Sequence, residues 1–360
     1  MKKTMSSYER TLTAFNRQEP DRVPVDYLYN QGIHSRLLRH FGLGAEDKDK
    51  LLECLRVDIR NLSVPYIGPR LHPEVPGLQV GAMQGERTRW VEHSSGGYWD
   101  FCEFPLQYAD EEQVAAYPLG SPDDFDYGLI PDMIKQYDGY FLAGMFGYGD
   151  LINGNGFLRG MEQTLVDLVS DDPAGLLLAK RRFEITLGMW SRAIDAAKKA
   201  GLKIHMLCLG EDLGTQRGPI ISPAVFEKHI RPSYQPFIDL AKANDMLVMI
   251  HSCGSSSWAF PAFVEMGIDV VDTLQPEATN MAPAYLKKTF GHELAFHGMI
   301  STAGPLANGS VEDVRREVAE TLGIMKPGGG YCLCPTHAIQ DNSPTENVLA
   351  MYEAAQEFGA

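Results

Sequence analysis

Long apolar runs are missing from this 360-residue chain: none approaches the roughly 18–20 residues that a membrane span needs, and polar sequence follows Met1-Lys2-Lys3-Thr4-Met5 in place of a leader's apolar core. Neither a membrane anchor nor a secretory leader is expected, so the chain reads as cytoplasmic. Cysteine is scarce. The six residues at 54, 102, 208, 253, 332 and 334 do not look like a disulfide framework in a chain of this length, and a reducing compartment keeps them as thiols. A cysteine with a special task is then a metal ligand or a nucleophile. Positive charge is also in deficit, with 32 Lys and Arg against 47 Asp and Glu and a formal charge of −15. That balance argues against a nucleic-acid partner, which draws on clustered cations. Nucleotide-binding signatures are absent as well: no G-x-G-x-x-G or G-x-x-x-x-G-K-[ST] occurs in a strand-turn-helix setting, and the Gly-rich Gly147–Gly156 lacks the P-loop lysine.

What is present is an ordinary globular composition, 44% hydrophobic and 22% charged, long enough for one large α/β barrel or two smaller domains. A polar helix over Ser7–Asn16 leads to Pro20-Asp21-Arg22-Val23-Pro24-Val25-Asp26-Tyr27, where prolines bracket a short apolar strand. Gly32–Phe41 and Asp47–Leu55 carry apolar residues at helical spacing, and Val57–Arg60 returns to an extended form. Residues 64–108 are rich in Gly, Pro and aromatics with alternating polarity, as an inserted set of hairpins would be. From Tyr140 onward strand and helix alternate: strands at Phe141–Met145, Lys203–Leu209, Met246–Ile250, Ile268–Val271, Leu294–His297 and Tyr331–Leu333, with helices between them. Such alternation specifies a parallel sheet with helical crossovers. A closed (β/α)8 barrel with an N-terminal helical extension is the form expected, because polar groups sit at the carboxyl ends of successive strands, where a barrel rim gathers them.

Two of those ends stand out. In Met246–Gly254 an apolar run breaks into His251-Ser252-Cys253-Gly254, which puts an imidazole and a thiol two residues apart, on one face of a strand. In Tyr331–Ile339, after Gly328-Gly329-Gly330, the chain offers Cys332, Cys334 and His337. Thiolate and imidazole suit zinc, and a catalytic zinc keeps one position open. His251, Cys253, Cys334 and His337 are therefore candidate ligands of one mononuclear site, while a buried thiol or core imidazole is the structural alternative for each. Cys332 is assigned to the core. Glu211 and Asp212, after the Lys203–Leu209 strand, are candidate catalytic groups, the alternative being a cap for the next helix. Asp272 and Gln275 are candidate substrate contacts, and His297 is read as a loop residue. Tyr27, Tyr29, Trp90 and Tyr148 could line a pocket for a flat substrate or simply pack.

Four segments carry a family resemblance: Phe141–Asp172, with its strand, Gly-rich turn, Gly160-Met161-Glu162 and helix ending at Val169-Ser170-Asp171-Asp172-Pro173; Ile221-Ser222-Pro223; His251-Ser252-Cys253-Gly254; and Gly328-Gly329-Gly330 through His337 to Pro344-Thr345-Glu346-Asn347. Together they resemble the uroporphyrinogen decarboxylase superfamily. The resemblance spans about Val23 to Phe358 and implies one (β/α)8 barrel domain over residues 1–360. Decarboxylases of the superfamily open with an R-Q-A-G-R-Y segment that grips substrate carboxylates. Here Val25-Asp26-Tyr27-Leu28-Tyr29-Asn30-Gln31-Gly32 occupies that region, so the clamp is missing. The methylcobamide:coenzyme M methyltransferase branch holds zinc with H-x-C plus a distant Cys. His251-Ser252-Cys253 matches the first part, and the distant ligand falls on His337, with Cys334 close by, so that position stays open between the two. The resemblance thus implies a zinc-dependent methyltransferase working with a corrinoid carried by a separate protein, since the chain has no evident corrinoid domain. Decarboxylation of a tetrapyrrole carboxylate is the alternative.

Overall fold

The computed structural model describes residues 4–93, 96–145 and 150–360. Among the described residues, ten strands divide into two sheets. Seven parallel strands, β1 (Ile59–Leu62), β5 (Phe141–Met145), β6 (Met206–Gly210), β7 (Leu247–Ser252), β8 (Val270–Thr273), β9 (Ala295–Ile300) and β10 (Tyr331–Pro335), lie side by side in chain order. The other three, β2 (Gln79–Val80), β3 (Arg87–His93) and β4 (Gly96–Phe101), form an antiparallel sheet inside the 64–108 segment.

The large sheet is apolar on both faces, as a parallel sheet covered by helices must be. Alternation along each strand sorts its residues. Ile59, Phe141, Ala143, Met206, Cys208, Met249, Val270, Ala295 and Cys332 share the inner cluster, which Phe15 of the N-terminal helix Ser7–Phe15 also enters. Leu142, Leu207, Val248, Ile250, Val271, Phe296 and Leu333 face outward into the main core with the helices. The long helix Pro173–Lys199 is one piece, started by Asp172, whose side chain accepts from Ala174 N and Gly175 N.

The strand expected within Pro20–Tyr27 is reduced to a single parallel bridge, Val25 to Leu333. Leu333 N donates to Pro24 O, Asp26 N donates to Leu333 O, and Asp58 N donates to Val25 O, so the segment bonds to β10 on one side and to the start of β1 on the other. Pro24 has no N–H to extend the pairing. The helix that ends at Val169-Ser170 is preceded by a second one: the two, Ile152–Arg159 and Met161–Ser170, are broken at Gly160, whose φ of 82° lies in the left-handed region. His297 is a correction: it lies inside β9 and is buried, not in a loop.

A candidate metal centre and its adjoining cavity

Register assembles the site. Gly210 pairs with His251, His251 with Asp272, Asp272 with His297 and His297 with Cys332, so these residues form one lateral row across β6 to β10. Side chains in register on a parallel sheet project to the same face. Asp272 sits between the two histidines and bonds to both: Oδ2 lies 2.6 Å from His251 Nδ1 and Oδ1 lies 2.6 Å from His297 Nδ1. His297 Nε2 in turn lies 3.2 Å from Asp26 Oδ2. The result is a buried chain of alternating carboxylates and imidazoles, Asp26–His297–Asp272–His251.

At the outer end of that chain, ligand atoms of His251, Cys253 and His337 all lie within 4.8 Å of one another. Cys253 Sγ is 3.4 Å from His251 Nε2. His251 and Cys253 are half-buried and His337 is exposed, so the trio opens toward solvent. Cys334 is placed elsewhere. It is fully buried, and its sulfur groups with Asp26 and His297, again within 4.8 Å. Strand β10 continues through Pro335, which keeps Cys334 inside the sheet and puts His337 just beyond its end.

The electrostatics follow from this geometry. Burial pushes against charge on His251, but its bond to Asp272 and the neighbouring Cys253 thiol outweigh that and raise its pKa well above the usual imidazole value. Burial likewise opposes ionisation of Asp272, yet His297 and His251 hold its carboxyl below the ordinary range. Burial raises the Cys253 thiol, against a downward pull from His251. His337 is shifted down, first by desolvation of its ring where it lines the cavity wall, although the residue as a whole is exposed, and then by His251.

The residue types and their surroundings fit zinc. Two imidazoles and a thiol converge, and a carboxylate on Nδ1 of His251 fixes the ring so that Nε2 faces the other donors, the outer support a ligating histidine usually has. Thr273, whose Oγ1 lies 2.8 Å from His251 Nδ1, has φ 86°, an uncommon conformation for a β-branched residue. Gly298 φ is 117°, and a Cβ there would come within 2.4 Å of Thr273 O, so β8 and β9 approach closely beside the site.

The remaining candidates take varied places. Asp212 lies beside the trio: Oδ1 accepts from Cys253 N at 2.9 Å and is 3.9 Å from His251 Nε2, while Oδ2 accepts from Asn153. Glu211 faces away from it and is fully buried, its carboxylate accepting from Leu151 N, Ile152 N and the Tyr234 hydroxyl at 2.9, 3.1 and 2.9 Å. It anchors the start of the Ile152–Arg159 helix. Gln275 Oε1 accepts from Gly254 N at 2.7 Å and so fastens the loop after Cys253. Asp272 supports His251 and does not itself line the cavity described next. Tyr148 lies outside the described residues. Trp90 is exposed on β3, packed edge-on against Trp99 of β4.

A cavity of about 290 Å³ adjoins the trio, with His251 and His337 in its wall. Tyr29 lines it, stacked between Tyr27 (centroids 4.6 Å apart) and His34 (4.1 Å), and Asp26, Arg60 and Asn61 contribute further polar groups. Sequence reasoning passed over Asp26 and Arg60. Their signal was a charged residue set in each of two apolar extended segments, Val25-Asp26-Tyr27 and Ile59-Arg60-Asn61-Leu62. It also passed over Asp150, in the Gly-rich turn, whose carboxyl is raised to about 6, chiefly by burial, against the pull of Arg182 and with Asp212 adding to the rise.

A seven-stranded parallel sheet flanked by helices, with a polar site where its strands end, defines an α/β protein of the kind that binds small ligands at the carboxyl rim of its strands. The chain belongs to the uroporphyrinogen decarboxylase (URO-D) family, whose model matches residues 156–358. Among solved structures, a methyltransferase from Methanosarcina mazei is 16% identical, with 99% of this chain and 100% of that one covered and a TM-score of 0.62. That likeness shows the fold. A B12-independent methionine synthase from a Shewanella species, in complex with selenomethionine, is 10% identical over 95% of this chain and 94% of that one, with a TM-score of 0.44. No curated protein matches the chain. No described helix is long and apolar enough to cross a membrane.

Proposed function

We propose that the protein is a zinc-dependent methyltransferase that moves a methyl group between a corrinoid, carried by a separate protein, and a small-molecule substrate or thiol. The observation that carries this reading is the convergence of His251, Cys253 and His337 within 4.8 Å, with Asp272 on the far nitrogen of His251. These three residues would hold the metal. Bound there, zinc would supply the Lewis acidity that keeps an incoming thiol, or a comparable nucleophile, anionic at neutral pH.

The chain's own groups do the rest. Asp272 keeps Nδ1 of His251 engaged, so that Nε2 offers its lone pair to the metal. Asp212 fixes the Cys253 backbone through its N–H and presents near the trio a carboxylate that stays ionised: burial opposes its charge, but His251 and its bonds from Cys253 N and Asn153 outweigh that and hold its pKa below the ordinary value. The cavity beside His251 and His337 would seat the substrate, with the Tyr27–Tyr29 stack as an apolar wall. The corrinoid protein would dock over the same mouth. In this reading Pro24–Asp26 serves as the eighth position of a (β/α)8 barrel, residues 1–360 form one domain carrying the 64–108 insertion, and the protein is cytoplasmic.

Visible spectroscopy tests the proposal. The protein is incubated with methylcobalamin and candidate thiols, and separately with reduced corrinoid and methoxylated or N-methylated compounds. Loss or gain of the methyl-cobalt band is expected, together with close to one zinc per chain by elemental analysis. Turnover of uroporphyrinogen with no change in any corrinoid spectrum would reverse the assignment in favour of decarboxylation.

A further inference from the structure

Arg60 is 2% exposed, yet it lacks what two other buried arginines, Arg10 and Arg159, have. Arg10 is paired with Asp21 and Asp58, and Arg159 with Asp167. Among the described residues no carboxylate pairs with Arg60. Its Nη1 donates to Val57 O and Ile59 O at 2.9 and 3.0 Å, its guanidinium lies 3.8 Å from the centroid of the Tyr140 ring, and its Nε has no partner. An isolated charge held away from water is costly, and proteins generally match it with an opposite charge.

The cavity suggests where that opposite charge comes from. Ile59 turns into the inner cluster, so Arg60 projects to the other face of β1. Past Asp58, whose N–H donates to Val25 O, β1 makes no further ladder bonds to the Pro24–Asp26 segment among the described residues, so one cavity can reach Asn61 on one side and Arg60 on the other, and it does. The carboxylates on its wall are already used. Asp49 accepts from Gln136 Nε2 at 2.9 Å and lies 3.5 Å from the Tyr137 hydroxyl, while Asp26 is held by His297 and by Tyr27 N. The second cation on the wall, Lys48, has its ammonium 5.9 Å from the centre of the Tyr29 ring.

We propose that this cavity is an oxyanion subsite in which Arg60 anchors a carboxylate or phosphate group of the substrate. The inference rests on the methyltransferase reading only for the word substrate; the subsite itself follows from the unpaired arginine. A planar guanidinium suits such a group because it offers parallel N–H donors. One arginine matches one oxyanion, so a small monoacid or monoester fits and a tetrapyrrole with many carboxylates does not.

Binding is measured by NMR titration with 4-methoxybenzoate, its neutral analogue 4-methoxybenzamide, and phenyl phosphate, with and without EDTA so that direct binding to a metal is separated. The acid is expected to bind at least about tenfold tighter than the amide, with EDTA making no difference. Arg60→Met should abolish that preference while keeping the wild-type circular dichroism spectrum. Arg60→Lys, which keeps the charge and loses the fork, should retain part of it and serves if the Met variant does not fold. A phosphate preferred over the carboxylate would identify the oxyanion as a phosphate ester. Equal binding of acid and amide, no binding of either oxyanion, or an acid preference that survives in folded Arg60→Met each overturns the proposal. Because no methyl transfer is read, this result and the spectroscopic test of function can fail independently.

Discussion

Asp272 holds His251 through one carboxylate oxygen and His297 through the other, each at 2.6 Å, so a single side chain ties the outer trio to the sheet's interior. Removing its charge should loosen His251 without unfolding the strand. Asp272→Asn is expected to weaken zinc binding by about 10–100-fold, the usual effect of losing a ligand's outer support, as read by competition with a chromophoric chelator. Asp26→Asn acts on His297 and Tyr27 N, not on His251, and is the control. Its zinc affinity should stay at the wild-type value, and an equal loss in both variants would mean that the whole buried chain, not the His251 contact, sets the affinity.

The third ligand can be decided by metal content. Cys253→Ala and His337→Ala should each lose zinc on dialysis, because their donor atoms converge with His251. Cys334→Ala should keep it. Truncating that fully buried thiol is expected to cost about 1 kcal/mol of stability in urea unfolding, as a small core deletion does. Cys102→Ala should change neither quantity. If Cys334→Ala loses its metal while His337→Ala retains it, the ligand set moves inward to the Cys334 sulfur.

Much of this was legible, and what was not has physical reasons. His251-Ser252-Cys253 could be read because a strand's period of two is local. The family resemblance placed the distant ligand on His337, with Cys334 as its competitor. The preference for His337 rests on the course of β10, which runs on to Pro335, a strand boundary that the Cys334-Pro335 sequence does not mark. Asp272 and His297 could not be assigned their roles, because the row linking them to His251 is set by register between β7, β8 and β9, and register is a tertiary property. Glu211 and Asp212 looked interchangeable as neighbours. Adjacent residues at a strand end point in opposite directions, and this sends Asp212 to the Cys253 backbone and Glu211 to Leu151 and Ile152.

Glu211 therefore acts as a positioning residue, and its variants should show it. In Glu211→Ala the buried Ile152 N loses its acceptor, while Leu151 N and the Tyr234 hydroxyl keep only their second ones, the Tyr234 oxygen and Gly210 O; this is expected to cost about 2 kcal/mol in urea unfolding, with zinc content unchanged. Glu211→Gln keeps an acceptor oxygen and should lose less. A Glu211→Gln protein of wild-type stability that is inactive in the corrinoid assay would instead mark the carboxylate as part of the chemistry.

Stability against acid should be governed in part by His205, far from any candidate ligand in the sequence. Its Nδ1 accepts from Leu142 N at 2.9 Å and its ring lies 4.5 Å from that of Tyr8, so the folded state needs the neutral imidazole with Nδ1 bare. Burial first, then Lys203, lowers its pKa to about 4. In the unfolded chain the same group titrates near 6.5. Between those values the unfolded state binds the extra proton, so stability is complete above about pH 6.5 and falls as the pH drops toward 4. A gap of that size corresponds to about 3 kcal/mol at most. Urea unfolding midpoints at pH 8, 6 and 4.5 should decline steadily for the wild type. In His205→Gln, which retains an acceptor and cannot take up a proton, the decline over the same interval should be smaller by most of that amount. Parallel curves for the two proteins would show that His205 is already protonated in the fold, or that its bond to Leu142 N contributes nothing.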